Sequence, residues 1–228
     1  MNAEPVQNLV LVHGGFVDGS GWCEVYRLLT DDGFRVRHPT LSLADDVAAV
    51  ERVLDALDGP AILVGHSYGG AVITVAGHHD RVAALVYVAA FVPDKGDSVG
   101  TLIADPSPGA PVPPILPPVD GFLFLDRDEF HEAFAADVPL AEAESMADAR
   151  VPWGLDALGG TVGEPAWRHR PSWYLVAADD QLIPPPAQRA MARRAGSAAT
   201  GTDAGHAVYV PRPDAVADPV RQAATGAT

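Results

Sequence analysis

Five stretches of this chain are apolar, rich in β-branched residues and for the most part unbroken by polar positions: NLVLVHG at 8 to 14, FRVRHP at 34 to 39, AILVGH at 61 to 66, VAALVYVAA at 82 to 90 and SWYLVAA at 172 to 178. A strand with one wet face alternates apolar and polar residues. A strand covered on both faces does not, so uninterrupted runs point to a parallel sheet sandwiched between helices. A sixth, fainter candidate, SAATGT at 197 to 202, rests on its position more than on its composition.

Between the runs lie helical patterns at 21 to 32, 43 to 58, 69 to 79, 184 to 195 and 213 to 224. Ser42 is placed to cap the second, and prolines stand at the start of the fourth. Strand and helix therefore alternate, the signature of an α/β fold. The alternation fails only across 92 to 170, where the proline-rich DPSPGAPVPPILPPVDG precedes two helix-like segments near 127 to 136 and 139 to 149. An interruption between two sheet strands reads as a cap over the sheet's edge within a single domain spanning 1–228. At 228 residues such a domain buries an adequate core without disulfides or metals.

Thirty acidic residues against fifteen basic ones, spread along the chain, make a surface that repels phosphate backbones and anionic lipid. Nucleic acid and membrane are thereby disfavoured as partners. The start, MNAEPVQN, has neither the basic nor the apolar region of a signal peptide, so the expected location is cytoplasmic. The single cysteine, Cys23, lies in an apolar helical pattern and reads as a small buried filler. The sequence carries no signal of oligomeric state.

The chemistry concentrates at residues 65 to 70, GHSYGG. GHSYG fits G-x-S-x-G, and its surroundings are those the motif needs, a strand (AILV) before it and a helix (GGAVITVAG) after it. Such a turn holds Ser67 in strained geometry with its hydroxyl above the sheet, while Gly65 and Gly69 prevent collision between strand and helix. A serine hydroxyl is a weak nucleophile until a base takes its proton and a third group orients that base. Around a nucleophile elbow the chain order is serine, acid, histidine. Of the eight histidines only His206, in GTDAGHAVYV, follows the last long strand. His13 and His66 occupy strand-end turns as local hydrogen-bonding groups, and His78 with His79 ends a solvated helix; His38, His131 and His169 have no supporting pattern. The acid is expected just after SWYLVAA, where Asp179 and Asp180 adjoin. Neighbours on an extended strand face opposite ways, so only one reaches the base. The following LIPP favours Asp180 over Asp179, with Asp203 too close in sequence to His206 to serve. Two oxyanion donors are expected from backbone N–H groups, one in the turn His13-Gly14-Gly15 that ends LVLVHGG, which also reads as a glycine turn serving only chain reversal, and one on Tyr68 directly after the serine.

Taken together, LVHGGFVDGSGW, DGPAILVGHSYGGAVI, VAALVYVAAFVPDKGDS, FAADVPLAEAE, PSWYLVAADDQLIPPPAQRAMARRAG and GHAVYVPRPDAVAD resemble the bacterial branch of the α/β-hydrolases related to plant methyl esterases and hydroxynitrile lyases. The resemblance spans nearly the whole chain and is weakest across 105 to 118. It implies an α/β-hydrolase fold with an about six-stranded, mostly parallel sheet, helices on both faces and a small helical cap inserted before the strand carrying the acid. It also implies Ser67 as nucleophile, His206 as base and Asp180 as acid, with the Gly15 and Tyr68 N–H groups as oxyanion hole. The run at 8 to 14 matches the strand that usually comes third, so the antiparallel hairpin of larger relatives is expected to be missing or vestigial. Hydroxynitrile lyases resembling this chain carry a lysine directly after the catalytic histidine, where Ala207 stands here, which counts against lyase chemistry.

The expected activity is hydrolysis of a small-molecule carboxylic ester or lactone through an acyl-enzyme on Ser67, with no cofactor and no metal. The competing readings are a lyase, cyclase or carbon–carbon hydrolase on the same scaffold, and a small-molecule binding protein with an idle triad. Phe122, Phe124, Phe130, Phe134 and Trp153 in the insertion, with Phe16, Trp22 and Phe91 near the sheet's edge, supply candidate walls for an apolar pocket. Aromatic residues in an insertion equally serve as its own core. Phe16, Trp22, Phe91, Phe122 and Trp153 are the pocket residues this reading selects.

Overall fold

The computed structural model describes residues 6–31, 42–104 and 110–226. Its strands are β1 (Asn8–Val12), β2 (Ala61–His66), β3 (Val82–Val88), β4 (Phe122–Leu123), β5 (Trp153–Gly154), β6 (Ser172–Ala177) and β7 (Ala198–Thr202). Among the described residues, five of these form one sheet in the order β1-β2-β3-β6-β7, every neighbouring pair parallel. The expected strand at 34–39 and His38 lie outside the described residues, as does part of the proline-rich stretch.

The helices are α1 (Cys23–Asp31), α2 (Leu43–Asp55), α3 (Gly69–Ala76), α4 (Val99–Ile103), α5 (Phe130–Phe134), α6 (Leu140–Asp148), α7 (Leu155–Gly159), α8 (Pro185–Arg194) and α9 (Pro213–Gly226). No helix among the described residues is long and apolar enough to cross a membrane. Helix α2 starts where Ser42 accepts a hydrogen bond from the Asp45 N–H at 3.1 Å, satisfying one orphan donor of its first turn. Helices α2 and α3 pack on each other, as do α1 and α9, and the two pairs sandwich the middle of the sheet. All six residues of β2 are consequently buried, which is the physical reason that its sequence shows no alternation. Strand β7 is the opposite case. As an edge strand with nearly every residue exposed, it has no burial to reward apolar side chains, and AATGT therefore gives almost no signal.

Between β3 and β6 the chain leaves the sheet. Helices α5 and α6 fall within the two expected helix-like segments, while α4, α7 and the antiparallel pair β4-β5 were not expected. Phe122 pairs with Gly154 and Leu123 with Trp153, a contact between segments distant in sequence that no local pattern encodes.

One composition-based expectation is corrected. Cys23 is exposed. Around the start of α1 the buried positions include Trp22, Val25 and Leu29, spaced three and four apart, and Cys23 stands off the stripe they define.

Candidate active site

Strand β2 ends at His66 and α3 begins at Gly69, so the chain reverses over two residues. Ser67 takes a φ of +52° there, in the left-handed region that a non-glycine residue occupies at a cost of about 1–3 kcal/mol. The reversal is tight enough that a Cβ on Gly65 would come within 2.5 Å of the Gly69 carbonyl oxygen, and one on Gly69 within 2.5 Å of the Val12 oxygen. Glycine is required at both positions for close approach. The Phe91 N–H donates to the Ser67 carbonyl at 3.1 Å, tying the elbow to the loop after β3.

Ser67, Asp180 and His206 come from three separate loops at the carboxyl ends of β2, β6 and β7, and they meet. His206 Nε2 lies 2.9 Å from Ser67 Oγ, and His206 Nδ1 lies 2.8 Å from Asp180 Oδ2. Asp180 and His206 are each 1% exposed, whereas Ser67 borders a cavity. The carboxylate is fully occupied: Oδ1 accepts from the Leu182 and Ile183 N–H groups at 2.8 and 2.9 Å, and Oδ2 also accepts from Gln188 Nε2 at 2.8 Å. A buried carboxylate so furnished is fixed in orientation. An Nδ1–H facing this carboxylate leaves Nε2 as the acceptor toward the serine hydroxyl. Asp179 is exposed, as the alternation of an extended strand end requires, and Asp203 is exposed as well.

Gly15 borders the same cavity as Ser67, and Tyr68 follows the serine at the amino end of α3, where helix N–H groups and positive dipole favour developing negative charge. Trp153 from the insertion lies over both: a Cβ on Gly15 would sit 2.7 Å from its Cδ2, and its ring centroid is 5.3 Å from that of Tyr68. The Tyr68 hydroxyl donates to Asp46 Oδ2 at 2.7 Å, and burial, with the Asp46 carboxylate beside it, pushes the phenol's pKa far upward.

The cavity beside Ser67 opens to solvent and encloses about 430 Å³ of non-atom space, open solvent included. Phe16, Phe91 and Trp153 border it, together with Ile115 and Leu182, and among the described residues its lining includes no Asp, Glu, Lys or Arg. Trp22 and Phe122 are placed elsewhere. The Trp22 ring packs on Tyr209 at 4.9 Å and against His66, as core beneath the site, and Phe122 is half-buried in the β4-β5 pair. Phe130 stacks on Phe134 at 4.9 Å inside the insertion, leaving Phe134 to face the cavity.

Two residues near the triad carry more than the sequence indicated. His66 is completely buried, and burial followed by the neighbouring His206 ring holds its pKa well below the usual histidine value, so it is neutral. Its Nε2 faces the His206 carbonyl at 2.9 Å, an acceptor only, which assigns the proton to Nε2. Gln188, also buried, bridges Asp180 to the backbone of β6 and stands in a polar helical run, where nothing distinguishes it from a solvated residue.

Known proteins resemble this chain along most of its length. The profile of the alpha/beta hydrolase family matches residues 9–218. The chain is 30% identical to a pyrethroid hydrolase of Sphingobium wenxiniae over an alignment of 247 positions, covering 94% of this chain and 86% of that one. It is 37% identical to a carbendazim hydrolyzing esterase of a Nocardioides species over 147 positions, covering 55% of this chain and 54% of that protein. The crystal structure of a pyrethroid hydrolase from Sphingobium faniae superposes with a TM-score of 0.83 at 28% identity, over 96% of this chain and 97% of that one.

Proposed function

The chain belongs to the alpha/beta hydrolase family, and from that premise we propose that it hydrolyses carboxylic esters through an acyl-enzyme on Ser67. The observation that carries the proposal is the continuous chain of short hydrogen bonds from Ser67 through His206 to Asp180. His206 Nε2 takes the Ser67 proton as Oγ attacks the ester carbonyl carbon, and Asp180 stabilises the imidazolium that forms. The carbonyl oxygen becomes an oxyanion, received by the backbone N–H groups of Gly15 and Tyr68. The tetrahedral species collapses, and the alcohol leaves with the proton His206 returns to it. Water, deprotonated by the same imidazole, then attacks the acyl carbonyl and frees the acid and Ser67.

The relatives named for ester hydrolysis support this reading over a lyase or an idle binding site. The apolar walls, which among the described residues carry no charged side chain, suit an uncharged ester or lactone with an apolar acyl or alcohol group, since a charged group would be desolvated against them without a partner. The 92–170 insertion acts as a cap, supplying Phe134, Trp153 and Ile115 to that wall. Hydrolysis of short p-nitrophenyl esters tests the proposal: Ser67→Ala loses on the order of a thousandfold or more in kcat, and undiminished turnover in a correctly folded Ser67→Ala enzyme overturns it.

A further inference from the structure

The loop that carries His206 is gripped by the cap. The Gly205 N–H donates to Asp137 Oδ2 at 2.9 Å, and the Ala207 N–H donates to the Phe134 carbonyl at 2.9 Å. Phe134 ends α5 and Asp137 lies in the short connection from α5 to α6, which is braced by hydrogen bonds from the Val138 N–H to the Ala135 carbonyl and between His131 Nε2 and the Val138 carbonyl. From the opposite direction, His66 Nε2 donates to the carbonyl of His206 itself. The peptide groups around His206 are thus held by the cap through two N–H groups and by the sheet through one carbonyl. The Phe134 ring adds an edge contact to the imidazole, centroids 4.9 Å apart.

We infer that Asp137, through its carboxylate on the Gly205 N–H, is a positioning residue that keeps the His206 ring in register with Ser67. The inference rests on the triad reading given above. The Phe134 bond is backbone to backbone and the His66 bond is inside the core, so Asp137 is the one exposed side chain of the three anchors. A carboxylate accepting an N–H makes a charge-assisted bond, stronger than an amide would supply. Proton transfer tolerates little displacement, because an error near 1 Å in the position of a catalytic group costs about a hundredfold. The cap therefore does more than wall the pocket; its docking holds the base over the nucleophile.

The test compares wild type, Asp137→Ala and Asp137→Asn as full-length proteins, measuring p-nitrophenyl ester turnover, the rate of labelling by a fluorophosphonate, and thermal unfolding. The expected result is a fall of about tenfold to a hundredfold in kcat and in labelling rate for Asp137→Ala, with KM within about twofold and both variants folded. Asp137→Asn keeps a carbonyl acceptor of the same shape, so it regains most of the loss. The inference is overturned if Asp137→Ala turns over and labels as fast as wild type, or if both variants lose activity only in proportion to the folded fraction. A wild-type enzyme that the fluorophosphonate leaves unlabelled contradicts the triad reading itself, and that result is distinct from either of these.

Discussion

Gln188 donates through Nε2 to Asp180 Oδ2 at 2.8 Å, the same oxygen that faces His206 Nδ1. Its other contacts, Oε1 with the Ala177 N–H at 3.1 Å and Nε2 with the Ile183 carbonyl at 2.7 Å, fix the amide on the backbone either side of the acid. Replacing it with leucine keeps the volume and strips these partners. Gln188→Leu is expected to destabilise the fold by about 1–3 kcal/mol, the penalty for buried polar groups left unpaired, read from urea unfolding. It is also expected to lower kcat on the order of tenfold as the acid loses its brace.

The two adjacent aspartates separate cleanly. Asp180→Asn keeps the shape and removes the charge that orients His206 and stabilises its protonated form, so kcat falls on the order of a thousandfold or more. Asp179 is exposed to solvent. Asp179→Asn therefore leaves turnover unchanged. Parallel steady-state assays of the two variants, with circular dichroism to establish folding, decide the point.

Much of this was legible in advance because burial and chain order write themselves into the sequence. The unbroken apolar runs reported strands covered on both faces, and the elbow's glycines reported a close approach of strand and helix. The LIPP after the two aspartates favours Asp180, and the structure buries Asp180 while exposing Asp179. The rest depended on tertiary contacts without a local signature. Gln188 stands beside Arg189 in a helix and Asp137 in the apolar stretch AADVPL, and both acquire meaning only from partners distant in the chain. Trp22 has the same composition signal as Trp153, yet one ring fills the core under His66 and the other covers Gly15. Cys23 sits one residue beyond Trp22, and that single step turns it to solvent.

Trp153 and Gly15 should prove energetically coupled. A methyl group at position 15 collides with the indole at 2.7 Å, so Gly15→Ala displaces either the ring or the N–H expected to meet the oxyanion. Loss of one such donor costs on the order of a hundredfold in kcat. Adding Trp153→Ala removes the obstacle, and the double variant is expected to recover part of that loss. Additive losses in the double-mutant cycle would exclude the coupling.

Stability should depend on pH through the buried histidines. His66, packed against His206, Tyr209 and Trp22, has its pKa lowered by burial first and by the His206 ring second; His13 is lowered chiefly by burial. In the unfolded chain both titrate near 6.5. Below that pH the unfolded state binds more protons than the folded one, so stability is complete above about pH 6.5 and declines as pH falls toward the folded values. Each histidine contributes a slope of up to about 1.4 kcal/mol per pH unit. Urea midpoints between pH 7.5 and 5.5 should fall accordingly, and His66→Asn should show a flatter profile.

The most direct test of the account is covalent. Intact mass after treatment with a fluorophosphonate, followed by peptide mapping, should give one adduct per chain, located on Ser67, absent from Ser67→Ala and formed far more slowly in His206→Ala. An adduct on another residue, or equal labelling of wild type and Ser67→Ala, would contradict it.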